Sequence, residues 1–383
     1  MPTATLDLTR PDDWHVHLRD GATLAAVVGA TARVFGRAIV MPNLRPPVVT
    51  TAEAAAYRDR IVAALPRSSR FRPLLTLYLT EGTDAAEIRR AVASGFVHAA
   101  KYYPAGATTH SESGLRAPSR AYRTFEAMER HGLVLAVHGE VTDADVDVFD
   151  RERVFVDREL TAIVRDFPGL RVILEHITTK ESVDFVTAAG PNVAATITPQ
   201  HLMHSRNAMF DGGLHPHLYC LPVLKRDTHR RALVAAATSG HSRFFLGTDS
   251  APHARTAKES DCGCAGCYGA PAAMALYAQV FEVAGALERL EGFASHHGAD
   301  FYRLPRNPDR ITLVRERWRV PTSLPLGDAS IVPLGAGQEL EWQVAGAIAA
   351  TMHAAKPVRS SLSRVRKPKG REESPGSTEQ DAG

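Results

Sequence analysis

Short apolar runs alternate with longer amphipathic stretches along most of the chain. Runs rich in Val, Ile, Leu and Ala stand at 13–18, 37–41, 73–79, 98–102, 133–138, 171–176, 193–197 and 243–246. Their length and content are those of buried strands. Helical spacing between them predicts helices over 50–65, 84–93, 119–131 and 228–239. Thr83 or Asp84 stands where the second of these needs its N-cap, with Glu87 in the first turn. Apolar strands separated by helices pair in parallel and are covered on both faces. Eight such units predict an α/β fold, a closed (β/α)8 TIM barrel whose strand C-termini converge on one mouth.

Three segments break the rhythm. The stretch 105–118 is rich in Gly, Ser and Thr, and 252–268 carries Cys262, Cys264 and Cys267. Long loops of this kind often bind or cover ligands. The segment 199–224 has room for an extra hairpin. The barrel is expected to occupy 1–343, with a tail over 344–383. In that tail, 344–355 is Ala-rich and reads as a helix, while 356–383 has too few apolar residues to offset ordering entropy and reads as disordered. Apolar residues make up 44% and charged residues 23% of the 383, which is enough for a large core. A net charge of +3 gives no reason to expect nucleic acid. No apolar run approaches the roughly 18 residues of a membrane span, and the N-terminus lacks a signal-peptide layout. Four cysteines, three of them clustered, are not a secreted disulfide framework, so the cytoplasm is the expected compartment.

The chemistry lies at the ends of the predicted strands. The first carries His15 and His17, two apart and therefore on one face, with Trp14, Val16 and Leu18 expected on the other. Arg19 continues the histidine face. Later strands end in Asn43, Lys101, His138, His176 and Asp249. A barrel brings all of these to one mouth. Imidazoles with a carboxylate suit Zn²⁺ and similar ions rather than Ca²⁺ or Mg²⁺. A pair of ions needs an anionic bridge. Lys101 supplies one if its neutral amine adds CO2 to form a carbamate; the plainer reading is a lysine in a salt bridge.

Read together, the segments RPDDWHVHLRDG (10–21), RAIVMPN (37–43), AAKYYP (99–104), VHGE (137–140), EHITT (175–179), ATITPQH (195–201), HLYCLP (217–222), GTDSAPH (247–253) and CGCAGC (262–267) resemble the dihydroorotases of the compact bacterial type, within the amidohydrolase superfamily. The resemblance runs from about Thr9 to Trp342. It implies reversible cyclisation of N-carbamoyl-L-aspartate to L-dihydroorotate, the third step of de novo pyrimidine synthesis. It also implies two Zn²⁺ per subunit, N6-carboxylysine at Lys101 and a homodimer. His15, His17 and Asp249 would hold the more buried ion, His138 and His176 the outer one, and Lys101 would bridge them. Asp249 would carry the proton. Arg19, Asn43 and His253 would grip the substrate carboxylate, with His138 and main-chain groups at Leu221 and Ala265 also touching substrate. The loop after Lys101 is expected to close as a lid, with Thr108 and Thr109 donating hydrogen bonds and Gly106 and Gly114 as hinges.

Two other readings compete. A hydantoinase or allantoinase would share the metal centre but not the carboxylate-binding Arg19, Asn43 and His253. A catalytically inactive barrel acting as a scaffold would be expected to lack metal ligands, and all six are present. The three clustered cysteines with Cys220 match the ligand count of structural zinc. Their spacing is not a standard zinc knuckle, so free thiols beside the substrate are the preferred reading.

Overall fold

The computed structural model describes residues 4–346. One eight-stranded parallel sheet runs in chain order through β1 (Asp12–Val16), β2 (Arg37–Val40), β3 (Arg72–Tyr78), β4 (Val97–Tyr102), β5 (Val134–His138), β6 (Val172–Glu175), β7 (Val193–Ile197) and β8 (Phe244–Leu246). The eight expected strands are thus the eight observed, with ends shifted by a residue or two. The last strand returns to the first: the Asp249 N–H donates to the His15 carbonyl at 2.9 Å, and the His17 N–H to the Ser250 carbonyl at 3.0 Å. The barrel therefore closes at the C-terminal ends of its strands.

The helices also fall where the pattern put them. Thr51–Ala64 begins with a capping box, in which Thr50 and Glu53 each bond the other's backbone N–H. Ala85–Ser94 is capped by Asp84, whose carboxylate accepts from Glu87 N. Tyr122–His131 and Asp227–Ala237 match the other two.

Alternation along the strands sorts the core into layers. Ile39, Leu74, Ala99, Val134, Ile173, Ala194 and Phe245 face inward and pack together at the barrel floor. Trp14 joins them, stacked on Tyr302 with ring centroids 4.7 Å apart. Trp14 was expected on the outer face with Val16 and Leu18, which do pack outward under the helices. A register shift between Asp13 and Val16 corrects this: the irregularity breaks the period of two, so Trp14, His15 and His17 all turn inward. On neighbouring strands the layer above the floor is polar. Two residues beyond Ala99, Ala136 and Ile173 come Lys101, His138 and Glu175.

The segment 199–224 holds no hairpin. It opens with a short helix, Pro199–Met203, with Pro in its first turn and the Thr198 hydroxyl accepting from His201 N, and continues as 3-10 turns. A small antiparallel sheet joins Thr5–Thr9, Arg310–Val314 and Gln343–Val344. Val344 is therefore a strand residue, not the start of a helix. The rest of the expected helix over 344–355, from residue 347 on, and the disordered stretch 356–383 lie outside the described residues. No helix among the described residues is long and apolar enough to cross a membrane.

Candidate metal centre

At the mouth, His15 Nε2 lies 3.3 Å from His17 Nε2 and 3.2 Å from Asp249 Oδ1, and His17 Nε2 lies 3.0 Å from the same oxygen. All three residues are at least nine-tenths buried. Two ligand atoms each about 2.1 Å from one zinc ion at a tetrahedral angle lie about 3.4 Å apart. The donor set therefore fits a small cation without rearrangement. A second group, His15, Glu175 and His176, also brings potential ligand atoms within 4.8 Å of one another. The rings of His176 and His138 stand edge-to-face at 4.8 Å.

The backbone has to bend to achieve this. Arg19, His176 and Asp249 have φ of 58°, 45° and 45°, in the left-handed region that non-glycine residues seldom occupy. At β6 this turn lets the consecutive residues Glu175 and His176 both enter the mouth. Each bend is held from outside. Tyr57 Oη donates to the Arg19 carbonyl at 2.6 Å, the Thr196 hydroxyl accepts from His176 N at 2.7 Å, and Asp13 accepts from Thr248 N at 2.9 Å and from its hydroxyl at 2.5 Å.

Lys101 lies beneath the cavity, fully buried, with Glu175 as the ion-pair partner of its Nζ. Burial pulls its ammonium below the usual lysine range, against the opposing pull of Glu175. Burial holds His17 down at about 4. Burial also opposes protonation of His15, but the Glu175 and Asp249 carboxylates carry that ring up to about 9. Asp249 stays well below the usual carboxylate range; burial opposes this, and His15 and His17 overcome it.

Two glutamates that sequence reasoning gave no role stand behind the histidines. His138 Nε2 is 2.8 Å from Glu140 Oε2, which leaves Nδ1 as the free ring nitrogen. His15 Nδ1 is 2.8 Å from Glu175 Oε2, close enough for an ion pair though not aligned for a hydrogen bond. The signal for Glu175 was its place two residues beyond the inward-facing Ile173.

One cavity gathers most of the expected residues. His15, His17, Arg19, Asn43, Thr108, Thr109, His138, His176, Leu221, Asp249 and Ala265 all line it, joined by Tyr103, Ala251 and Gly266. It takes in about 340 Å3 of space between atoms, the solvent at its open mouth included. His253 stands behind this wall, its Nε2 2.9 Å from an Arg19 Nη. Burial and the neighbouring guanidinium push His253 down to about 3, so it is a neutral partner for Arg19. The loop after β4 crosses the mouth: the Thr109 carbonyl accepts from Asn43 Nδ2 at 2.9 Å, and its hydroxyl lies 3.5 Å from the Ala265 carbonyl. Gly106 has φ +81°, whereas a Cβ at Gly114 would stand 2.2 Å from the Tyr103 carbonyl. Gly114 thus permits close packing at the loop base. The cysteines are free thiols: Cys262 and Cys264 lie near the surface with Sγ atoms 3.7 Å apart, and Cys220 and Cys267 are buried.

The chain matches the amidohydrolase family model over residues 12–312. It is 62% identical over 342 residues to dihydroorotase of Methylobacillus flagellatus, covering 89% of this chain and 99% of that one. The crystal structure of dihydroorotase from Campylobacter jejuni superposes with a TM-score of 0.83 at 32% identity, over 90% of this chain and 98% of its own. Dihydroorotase from Saccharomyces cerevisiae, solved with 5-fluoroorotic acid, gives 0.81 at 33% identity over 89% and 98%. With its inward-turned histidines, strand-end aspartate and buried lysine, the chain belongs to the dihydroorotase family of amidohydrolases.

Proposed function

We propose that the cavity catalyses the reversible, zinc-dependent interconversion of N-carbamoyl-L-aspartate and L-dihydroorotate. The observation that carries this is the meeting of His15 Nε2, His17 Nε2 and Asp249 Oδ1 within 3.3 Å, in the same cavity as Arg19. His15, His17 and Asp249 would hold one zinc ion and His138 and His176 a second, with carbamylated Lys101 bridging them. The buried, depressed lysine supports that modification, since only the neutral amine attacks CO2. When bound, the ions lower the pKa of water at the site and polarise the amide carbonyl.

The chain's own groups do the rest. Arg19 presents a guanidinium to the substrate carboxylate, fixing its orientation. Asn43 and the neutral His253 hold that arginine end of the cavity in shape, and Asn43 Oδ1 has no protein partner. Main-chain groups at Leu221 and Ala265 face the ring amides. Asp249 is ionised and therefore able to accept the proton of the attacking water and return it to the leaving nitrogen. In the direction of synthesis the same transfers run in reverse. Thr108 and Thr109, on the loop across the mouth, close over the ligand and shut out water. The active form is a homodimer, which sedimentation in solution tests.

Lys101→Ala tests the centre. Dihydroorotate hydrolysis should be lost, metal content should fall towards one ion per chain, and a short carboxylic acid should restore part of the rate. Full activity with two ions retained would refute the bridge.

A further inference from the structure

Apart from ring nitrogens of the candidate metal-binding histidines, three polar atoms in the cavity wall are buried and have no hydrogen-bond partner in the protein: Arg19 Nη1, Asn43 Oδ1 and Tyr103 Oη. Buried polar groups in folded proteins are nearly always paired, so an orphaned set in one cavity marks where a ligand makes the missing bonds. Arg19 and Asn43 already have roles in the proposed reaction. Tyr103 has none.

Its ring is fixed before any ligand arrives. It follows directly on β4, two residues beyond Lys101, and is 1% exposed. The Tyr78 ring stands 5.2 Å away, and the His138 ring 6.3 Å on the other side. The Tyr103 carbonyl accepts from Leu115 N at 2.9 Å, tying the residue to the base of the loop that crosses the mouth. The phenol cannot swing out to water, and a phenol keeps its proton at any working pH. It is a donor held in place without a protein acceptor.

The other two orphans tell what that donor meets. The rest of Arg19 is committed: one Nη contacts His253 at 2.9 Å, and Nε contacts the Pro252 carbonyl at 3.4 Å. One N–H-bearing atom, Nη1, is left for a ligand. Asn43 spends its amide nitrogen on Thr109 and keeps its oxygen free. Away from the histidines, the cavity thus offers two unused donors and one unused acceptor. A carboxylate accepts from two donors, and a ring N–H beside it donates to the acceptor. L-Dihydroorotate carries its carboxylate on the carbon next to a ring N–H.

We propose that Tyr103 is a further substrate-binding residue, its hydroxyl donating to the substrate carboxylate beside Arg19. The proposal rests on the dihydroorotase reading and deepens it. Arg19 supplies charge, and Tyr103 supplies a second, neutral bond that fixes how the carboxylate is turned.

Tyr103→Phe removes only the hydroxyl and is tested with L-dihydroorotate. A bond to a charged group predicts a KM about 10- to 100-fold higher, with kcat within about threefold and metal content unchanged. Because the hydroxyl has no protein partner, the Tm should hold or rise. Unchanged KM would overturn the proposal, as would a fall in kcat at constant KM, which would place the phenol at the reacting carbonyl. A lower Tm or failure to fold would show a structural role and overturn it too. The unsubstituted chain in the same assay tests the underlying reading separately: if it does not turn over L-dihydroorotate, that reading fails whatever Tyr103 does.

Discussion

His15 carries the main electrostatic load of the centre. In the metal-free chain its ring keeps a proton up to about pH 9, because the pull of Glu175 and Asp249 exceeds the cost of burial. A metal ion binds the neutral imidazole and must expel that proton. The sign follows: the folded-state pKa is raised, so the competing proton is fully present below about 9 and is lost above it. Metal retention, measured by competition with a chelator, should weaken about tenfold for each pH unit lost between 8 and 6. Retention independent of pH in that window would mean that His15 is already neutral. Much at this scale was legible. His-x-His on one strand, and Lys101, His138 and Asp249 at strand ends, follow from the period of two and from barrel convergence. What was not legible depends on backbone bends. Trp14 turns inward because of the irregularity at Asp13–Val16. His176 was expected at the mouth, but that Glu175 shares it follows from the bend at His176, where φ is 45°. Neither bend leaves a mark in side-chain patterning.

Between elements, the substrate wall is built from loops that must be held to one another. Lys258 does this from behind. It is buried, and its Nζ donates to the Tyr219 carbonyl at 2.7 Å and to the Cys264 carbonyl at 2.8 Å. Those carbonyls belong to the two loops that carry Leu221 and Ala265 into the cavity. Gly266 N adds a third tie, to the Tyr219 carbonyl at 3.0 Å. Lys258→Met should loosen the wall while leaving the metal ligands alone. KM for dihydroorotate should rise roughly 3- to 30-fold, less than the full 10- to 100-fold of a hydrogen bond to a charged group because Lys258 acts on substrate only through the wall, with metal content constant, and Lys258→Arg should recover part of the loss. Loss of metal in the Met variant would show that Lys258 supports the barrel rather than the wall. Helices and strands were readable here because their periods repeat over many residues, as the Asp84 cap and the Thr50–Glu53 capping box illustrate. The segment 199–224 was misread because its short helix and 3-10 turns repeat too few times to set a period.

Across the whole molecule, eight repeats of strand and helix made the barrel legible before any coordinate. The small sheet of Thr5–Thr9, Arg310–Val314 and Gln343–Val344 was not, since Thr5–Thr9 pairs with a strand about 300 residues away, Gln343–Val344 with one about 30 residues away, and each strand is short. That sheet ties the start of the described chain to its end. The match to the Methylobacillus flagellatus relative extends over 342 residues, 89% of this chain.

The Lys101–Glu175 ion pair bears on how the enzyme comes into being. In a freshly folded chain burial favours the neutral amine of Lys101 while Glu175 favours its ammonium, and only the amine fraction reacts with CO2. The protein would therefore be made idle and ripen afterwards, at a pace set by dissolved gas as much as by zinc supply. Zinc added to the metal-free chain in CO2-depleted buffer should yield activity only after a lag, and bicarbonate should shorten it. Full activity at once in both buffers would leave Lys101 unmodified and the ripening step without a cause.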